Sequence, residues 1–316
     1  MAVFSKSSKE IMTNSDEMGM SSSWTDSLAR NQRPNNTALL SHLRKVHQKH
    51  TGFTEKCAST CRDNAGRNSY EWLADVVPNI DNTRVLDLAC GSGLLLKILN
   101  NRNTKFQLTG VDMSSDELKL AKERLSESKV ELIKSRAQDL KLIGSNSIDV
   151  VVCHWALTLM DPISPVLNEI HRILSVDGMF GALVDGPMGA APGYKDIHDL
   201  IYDYVQAEIP SYGEIELGDP RIRGTESLSN LVRSTFPASN VTVETSVVSM
   251  EGPVTEVAKT AAGFFYAAFV LPHEARQRMI SELSEIILLP PQSQDEYRKG
   301  RFAMPINRLL VSSVSK

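Results

Sequence analysis

The chain has 316 residues, 41% of them hydrophobic and 23% charged, which is enough for one large domain with additions or two small ones around a sizeable core. Its formal net charge of −4 lacks the basic excess of a nucleic-acid binder, so no nucleic acid is expected as a partner. No run approaches the roughly 20 apolar residues of a membrane span, and the N-terminus shows no signal-peptide core.

In chain order, residues 1–35 are rich in Ser, Asn and Met and read as a flexible leader with room for a short helix over Trp24–Arg30. A helical segment over 36–80 follows. Leu39, Leu40, Leu43 and Val46 set a helical period over Thr37–Lys49, with His42, His47 and His50 read as a solvated face. A second helix runs over Ser69–Val77, with Ser69 as its cap and Pro78 as its stop. From residue 81 the pattern changes. Apolar strands are expected at Arg84–Leu88, Gln107–Val111, 130–134, Ile148–Cys153 and Met179–Val184. Helices separate them at the stretch through Asn100, at Ser115–Ser126 and at Pro162–Leu174, the last stopped by Ser175-Val176-Asp177-Gly178. This alternation predicts an α/β, doubly wound, mostly parallel sheet with right-handed crossovers. Short, nearly continuous apolar strands suit a sheet covered on both faces. Beyond Asp185, helices are expected at 194–208, 225–235 and 254–288, and strands at Val241–Val248 and 308–314. The helical inserts, at about 187–235 and 253–300, lie where such additions cover a ligand crevice. Cys57, Cys61, Cys90 and Cys153 form no paired CxxC knuckles, so no structural zinc is expected and a reduced, cytoplasmic setting fits.

The segment Val85-Leu86-Asp87-Leu88-Ala89-Cys90-Gly91-Ser92-Gly93 is a strand, a glycine turn and a helix start. Glycines there allow positive φ and close approach of backbone to a ligand. The third glycine of a dinucleotide fingerprint is absent, Leu96 standing at its position, and no GK[ST] follows. Asp87 lies inside the strand, where a carboxylate is costly unless partnered; it either meets a ligand ammonium or ties down the loop through backbone N–H groups. Asp112 ends the second strand 19 residues after Gly93. It is placed either to receive a ribose diol or to cap the helix at Ser115. S-adenosylmethionine has that diol and no phosphate.

These residues resemble the class I, Rossmann-like methyltransferase superfamily. Val85–Gly93 is similar to its first motif and Gly110-Val-Asp112-Met-Ser114 to its second. Ala137-Gln138-Asp139-Leu140 with Ser147–His154 is similar to the region of the fourth strand, and Glu169–Gly178 to the helix and turn before the fifth. The resemblance covers about residues 70–185 and is nearest to the branch of quinone-biosynthesis and malonyl-carrier-protein methyltransferases. It implies a seven-stranded sheet with an antiparallel last strand, and the domain then spans 81–316. It further implies that Asp87, Gly91 and Gly93 hold the methionine end, Asp112 the ribose and Met113 the adenine, with Ala137 and Gln138 at the adenine edge. Arg136 stands where that branch often has Asp or Asn. An arginine accepts no hydrogen bond, so Gln138, Asp139 or a backbone carbonyl must read the adenine amino group. With Tyr70, Ala89 and Cys153, these residues form the candidate cofactor-binding set.

His154 directly follows the fourth strand and is the candidate catalytic residue. It reads either as a base, with a pKa suited to neutrality, or as a pocket wall against Trp155. Phe264, Phe265, Tyr266 and Phe269 read as helix-spaced core of the insert or as lining of an apolar acceptor pocket. The function expected is methyl transfer from S-adenosylmethionine to a small-molecule acceptor, with no metal. The alternatives are a protein or carrier-protein methyltransferase and a non-catalytic cofactor-binding assembly factor. The sequence sets neither the acceptor atom nor an oligomeric state.

Overall fold

The computed structural model describes residues 19–213, 218–290 and 298–314. The chain enters through helices α1 (Ser23–Ala29), α2 (Asn36–Lys49), α3 (Phe53–Ala58) and α4 (Ser69–Ala74). It then forms β1 (Arg84–Leu88), α5 (Leu94–Arg102), β2 (Gln107–Asp112), α6 (Ser115–Arg124), β3 (Val130–Lys134), β4 (Ile148–His154), α7 (Ser164–Ile173) and β5 (Leu174–Asp185). Helices α8 (Tyr194–Glu208) and α9 (Thr225–Thr235) lead to β6 (Asn240–Pro253); α10 (Val254–Gly263) and α11 (His273–Ile286) lead to β7 (Lys299–Ser312).

The strands form one seven-stranded sheet in the order β3-β2-β1-β4-β5-β7-β6. Neighbours from β3 to β5 are parallel, and β7 runs antiparallel to both β5 and β6, as expected. The strand order reverses at β1, with β2 and β3 on one side and β4 and β5 on the other. The crevice at the carboxyl ends of β1 and β4 is therefore the position where such sheets bind ligands.

Alternation of side chains across each strand decides which residues face that crevice. In β1, Val85 packs into the core beneath α4 and α5, whereas Leu86 and Leu88 enter the opposite core beneath α7 and α9. Asp87 shares the face of Val85. By the same parity, Asp112 lies with Leu108, His154 with Val150 and Val152, and Asp185 with Leu183. Cys153 points the other way, into the opposite core.

Several elements depart from expectation. The leader is folded from residue 19: α1 buries Trp24 and Leu28, and the Trp24 ring stacks on His42 at 4.8 Å and meets Tyr212 edge-on at 5.5 Å. Residues 1–18 lie outside the described residues. His42 is buried, not on a solvated face. The cap of α4 is Asn68, in a reciprocal capping box with Glu71, and not Ser69. The turn expected at 175–178 survives as a bulge inside β5. There Ile148 pairs with Leu174 and Val150 already with Met179, and Asp177 takes a left-handed φ of 60°.

β7 starts nine residues before the expected strand, running through Pro305. A proline is normally excluded from a central strand because it lacks a donor. Here Pro305 lies one step past the pairing of β5, and its carbonyl accepts the Gly186 N–H. The missing donor thus faces the end of β5 rather than β6. The helical stretch expected over 254–288 is broken at Gly263 and resumes only after Pro272, so Phe264, Phe265 and Tyr266 leave the helix.

The packing of α1 sets an expectation. Trp24→Ala should lower unfolding free energy by about 3 kcal/mol, in the range for truncating a buried aromatic side chain. Urea titration checks this, and an unchanged midpoint would show that α1 is not part of the core.

Candidate functional site

β1 leads into a loop with left-handed backbone at Ala89 (φ 58°), Gly91 (φ 51°) and Gly93 (φ 78°). Ala89 holds this conformation despite its Cβ, a cost that recurs at functional turns. At Gly91 a Cβ would meet nothing closer than Glu117 Oε2 at 3.9 Å, so the missing side chain leaves space in the crevice. At Gly93 a Cβ would come within 3.1 Å of Ala121 Cβ and Leu125 Cδ1. Gly93 therefore lets α6 pack against the start of α5, and it does not line the crevice.

Asp112, at the tip of β2, accepts the Gly91 N–H at 2.9 Å through Oδ2 and the Ser114 N–H at 2.7 Å through Oδ1. It thus ties the two loops together, and each oxygen keeps a further lone pair for a ligand. The cap of α6 is Ser114, not Asp112. Asp87 is different. It is buried, and neither of its carboxyl oxygens has a hydrogen-bond partner in the protein. Burial, with the negative charge of Asp112 adding to it, pushes this carboxyl well above the usual carboxylate range.

These residues floor a cavity of about 150 Å³. Tyr70, Ala89, Met113, Ala137, Gln138 and His154 line it, as does Arg136. Cys153 does not. Its thiol is sealed in the core behind the sheet and pushed upward by burial, because it has the opposite strand parity to His154.

The imidazole of His154 stacks on Tyr70, with ring centroids 3.6 Å apart, and Nε2 lies 2.9 Å from Ser69 Oγ. Burial pushes its pKa down to about 3, so the ring is neutral near pH 7. The Tyr70 phenol is pushed upward by burial and by the carboxylates of Glu55, Asp87 and Glu117.

The roof of the cavity was not anticipated. His47 of α2 joins Glu117 at 3.0 Å through Nδ1 and the Tyr266 hydroxyl at 3.1 Å through Nε2. Glu117 also accepts the Gly52 N–H at 3.0 Å. Glu55 of α3 takes both guanidinium nitrogens of Arg124, at 2.6 and 2.7 Å, and accepts the Ser92 hydroxyl of the glycine loop. A glutamate in the first turn of a helix and a histidine on an amphipathic one carry no local sign of meeting 70 residues apart.

A second cavity, of about 710 Å³, adjoins the first and shares Thr54, Trp155, Leu159 and Tyr266 with it. Trp155 directly follows β4 with a left-handed φ of 54°. Its Nε1 donates to Asp185 Oδ1 at 2.7 Å. Phe264 and Phe265 line this second space, whereas Phe269 does not and instead meets Phe53 edge-on at 4.8 Å and lies tilted against His50 at 4.6 Å.

Residues 86–182 match the family model described as a methyltransferase domain. This stretch is similar to a methyltransferase domain. Outside the family model, the demethylmenaquinone methyltransferase of Leptospira interrogans is 32% identical over 118 residues, which is 34% of this chain and 47% of that protein. The demethylmenaquinone methyltransferase of Thermotoga maritima is 27% identical over 148 residues, covering 46% of this chain and 62% of that protein. The malonyl-[acyl-carrier protein] O-methyltransferase of Priestia megaterium is 24% identical over 94 residues, 30% of this chain and 34% of that protein. The chain spans about half the length of the first two of these relatives.

Two solved structures share the fold. The YcgJ protein of Bacillus subtilis is 15% identical with a TM-score of 0.51, covering 78% of this chain and 99% of that one. The [4+2]-cyclase SpnF is 15% identical with a TM-score of 0.53, covering 86% and 96%. The matched residues contain the glycine loop, Asp112 and His154; α2, α3, α8 and the Phe264–Tyr266 segment lie outside them. No helix among the described residues is long and apolar enough to cross a membrane.

The buried Asp87 makes a signed prediction. Its folded pKa lies above the unfolded value of about 3.9, so the unfolded chain loses its proton first as pH rises. Its stabilising contribution is full below that value and is lost upward until the folded pKa is reached. Asp87→Asn should match the wild type near pH 4 and exceed it in stability at pH 7.5. Urea midpoints at the two pH values test this, and a constant difference would refute the buried, unpartnered carboxylate.

Proposed function

We propose that this protein transfers a methyl group from S-adenosylmethionine to a small-molecule acceptor. The observation carrying the proposal is the pair of carboxylates at adjoining strand tips. Asp87 has no partner of its own, and Asp112 is oriented by two backbone N–H groups. An α-ammonium would satisfy the first and a ribose diol the second, and the loop lacks the third glycine of a pyrophosphate-binding fingerprint.

On this reading Asp112 holds the ribose, and Asp87 with the Gly91 region holds the methionine end. Met113, Ala137 and Gln138 pack about the adenine. The bound cofactor supplies an electrophilic methyl on its sulfonium. The protein's own contribution is alignment and exclusion of water, which can lower a barrier by roughly 7–11 kcal/mol in favourable cases. The neutral His154, stacked on Tyr70, forms a rigid wall; with its pKa so far below neutrality it serves as wall rather than base. The first cavity is smaller than the roughly 300–1,000 Å³ of typical ligand sites. The Glu55–Arg124 and His47–Glu117 contacts hold the roof formed by α2 and α3 over it.

The acceptor belongs in the second cavity, which α8 and the Phe264–Tyr266 segment help to line. Most of its lining, apart from Trp155, Thr158 and Leu159, falls outside the matched residues, so the acceptors named for the relatives do not carry over with them. The cysteines at 57, 61, 90 and 153 are free and buried, which supports the reducing setting of the cytoplasm.

Calorimetry with S-adenosylhomocysteine should show binding, and Asp112→Ala should weaken it about 10- to 100-fold, the scale for losing hydrogen bonds to a charged group. Labelled S-adenosylmethionine incubated with a metabolite extract should yield labelled low-molecular-weight product. Label entering protein instead would transfer the assignment to a protein methyltransferase. Absence of nucleoside binding by folded protein would end the proposal.

A further inference from the structure

Building on the methyl-donor reading of the adjoining cavity, we propose that the 710 Å³ cavity takes an organic ammonium, held and deprotonated by Asp185 within a wall of aromatic rings. Asp185 ends β5 on the same sheet face as Asp87 and His154, and it is half-buried with its open side on the cavity. Trp155 fixes it through the 2.7 Å bond from Nε1, and Trp155 is itself a wall shared by both cavities. The carboxylate thus stands one side chain from the boundary that a transferred group must cross.

The remaining lining is complementary to a cation. Tyr194, Tyr202, Phe264, Phe265 and Tyr266 present rings to the space, and aromatic faces attract ammonium groups. Its charged lining is Asp185, Asp199 and Asp203 against Arg223. Asp199 is engaged by Lys195 and by Nδ1 of His198, and Arg223 lies in the field of both Asp185 and Asp219. Asp203 is exposed at the rim. The interior carboxylate is therefore Asp185, half-buried and fixed by Trp155.

The groups acting on Asp185 set its basicity. Enclosure pushes its carboxyl above the usual range, while the Trp155 donor, Arg223 and His198 draw it back down. A carboxylate so held can accept a proton from an ammonium nitrogen. One N–H bond breaks, one O–H bond forms, and the nitrogen lone pair is released toward the shared wall. No oxidant or reductant is involved.

The test uses the full chain saturated with S-adenosylhomocysteine and three probes that share a phenyl ring: phenethylamine, 2-phenylethanol and 3-phenylpropionate. Calorimetry should show the ammonium binding at least about 10-fold tighter than the alcohol, with the carboxylate weaker still. Asp185→Asn should abolish that preference and leave alcohol and S-adenosylhomocysteine affinities unchanged. Trp155→Phe keeps a ring but removes the donor, so the pH below which the ammonium ceases to bind should rise; this arm stands even if the Asn variant fails to fold. Equal binding of ammonium and alcohol, a preference surviving in Asp185→Asn, an unmoved pH midpoint, or no probe bound at millimolar concentration would each overturn the proposal. Failure to bind S-adenosylhomocysteine would instead strike the methyl-donor reading, which keeps the two outcomes apart.

Discussion

A carboxylate in the middle of a parallel sheet, with no partner supplied by the protein, is the constraint around which this molecule is arranged. Asp87 cannot turn away. It is locked in register between Gly110 of β2 and Val152 of β4, and its strand neighbours Leu86 and Leu88 fix the parity by filling the opposite core. Removing a charge from water without compensation is expensive, so the free chain carries a strained, partly neutralised group. A cationic ligand at that position would relieve the strain, so its binding would stabilise the fold.

The same parity governs the rest of the crevice. Asp112, His154 and Asp185 end β2, β4 and β5 on the face that holds Asp87, so four strands bring their polar termini to one edge. The loops between them then specialise. Gly91 leaves space, Gly93 gives up its side chain to helix packing, and Trp155 accepts a left-handed backbone to stand between two cavities. The matched domain provides the floor of the first cavity. The helices before β1 and the segments after β5 provide its roof and nearly all of the second cavity. A fold shared with a [4+2]-cyclase leaves the chemistry to such additions, because function resides in the site and not in the sheet.

The electrostatics of the two cavities differ. In the first, burial raises Asp87 and lowers His154, leaving a neutral wall beside a carboxyl that wants a cation. In the second, Asp185 has a donor and charged neighbours, so it is tuned rather than stranded. The ion pairs of the roof lie part-buried between α3 and α6 and between α2 and α6.

Much of this was legible in the amino-acid order, because it depends on neighbours along the chain. Apolar runs, capping residues and glycine turns are local signals, and they placed β1 to β5, α8 and α9 to within a few residues. The crevice floor was readable for the same reason: Asp87, Gly91 and Asp112 sit at strand ends that the pattern marks. What needed the tertiary structure was every feature set by an element distant in sequence. Strand parity relative to a core put His154 in the crevice and Cys153 behind it. A helix 70 residues away brought His47 to Glu117, and the end of β5 made Pro305 tolerable in β7. Periodicity reports which residues avoid water, whereas the partner each one meets depends on chain crossings that no local pattern encodes.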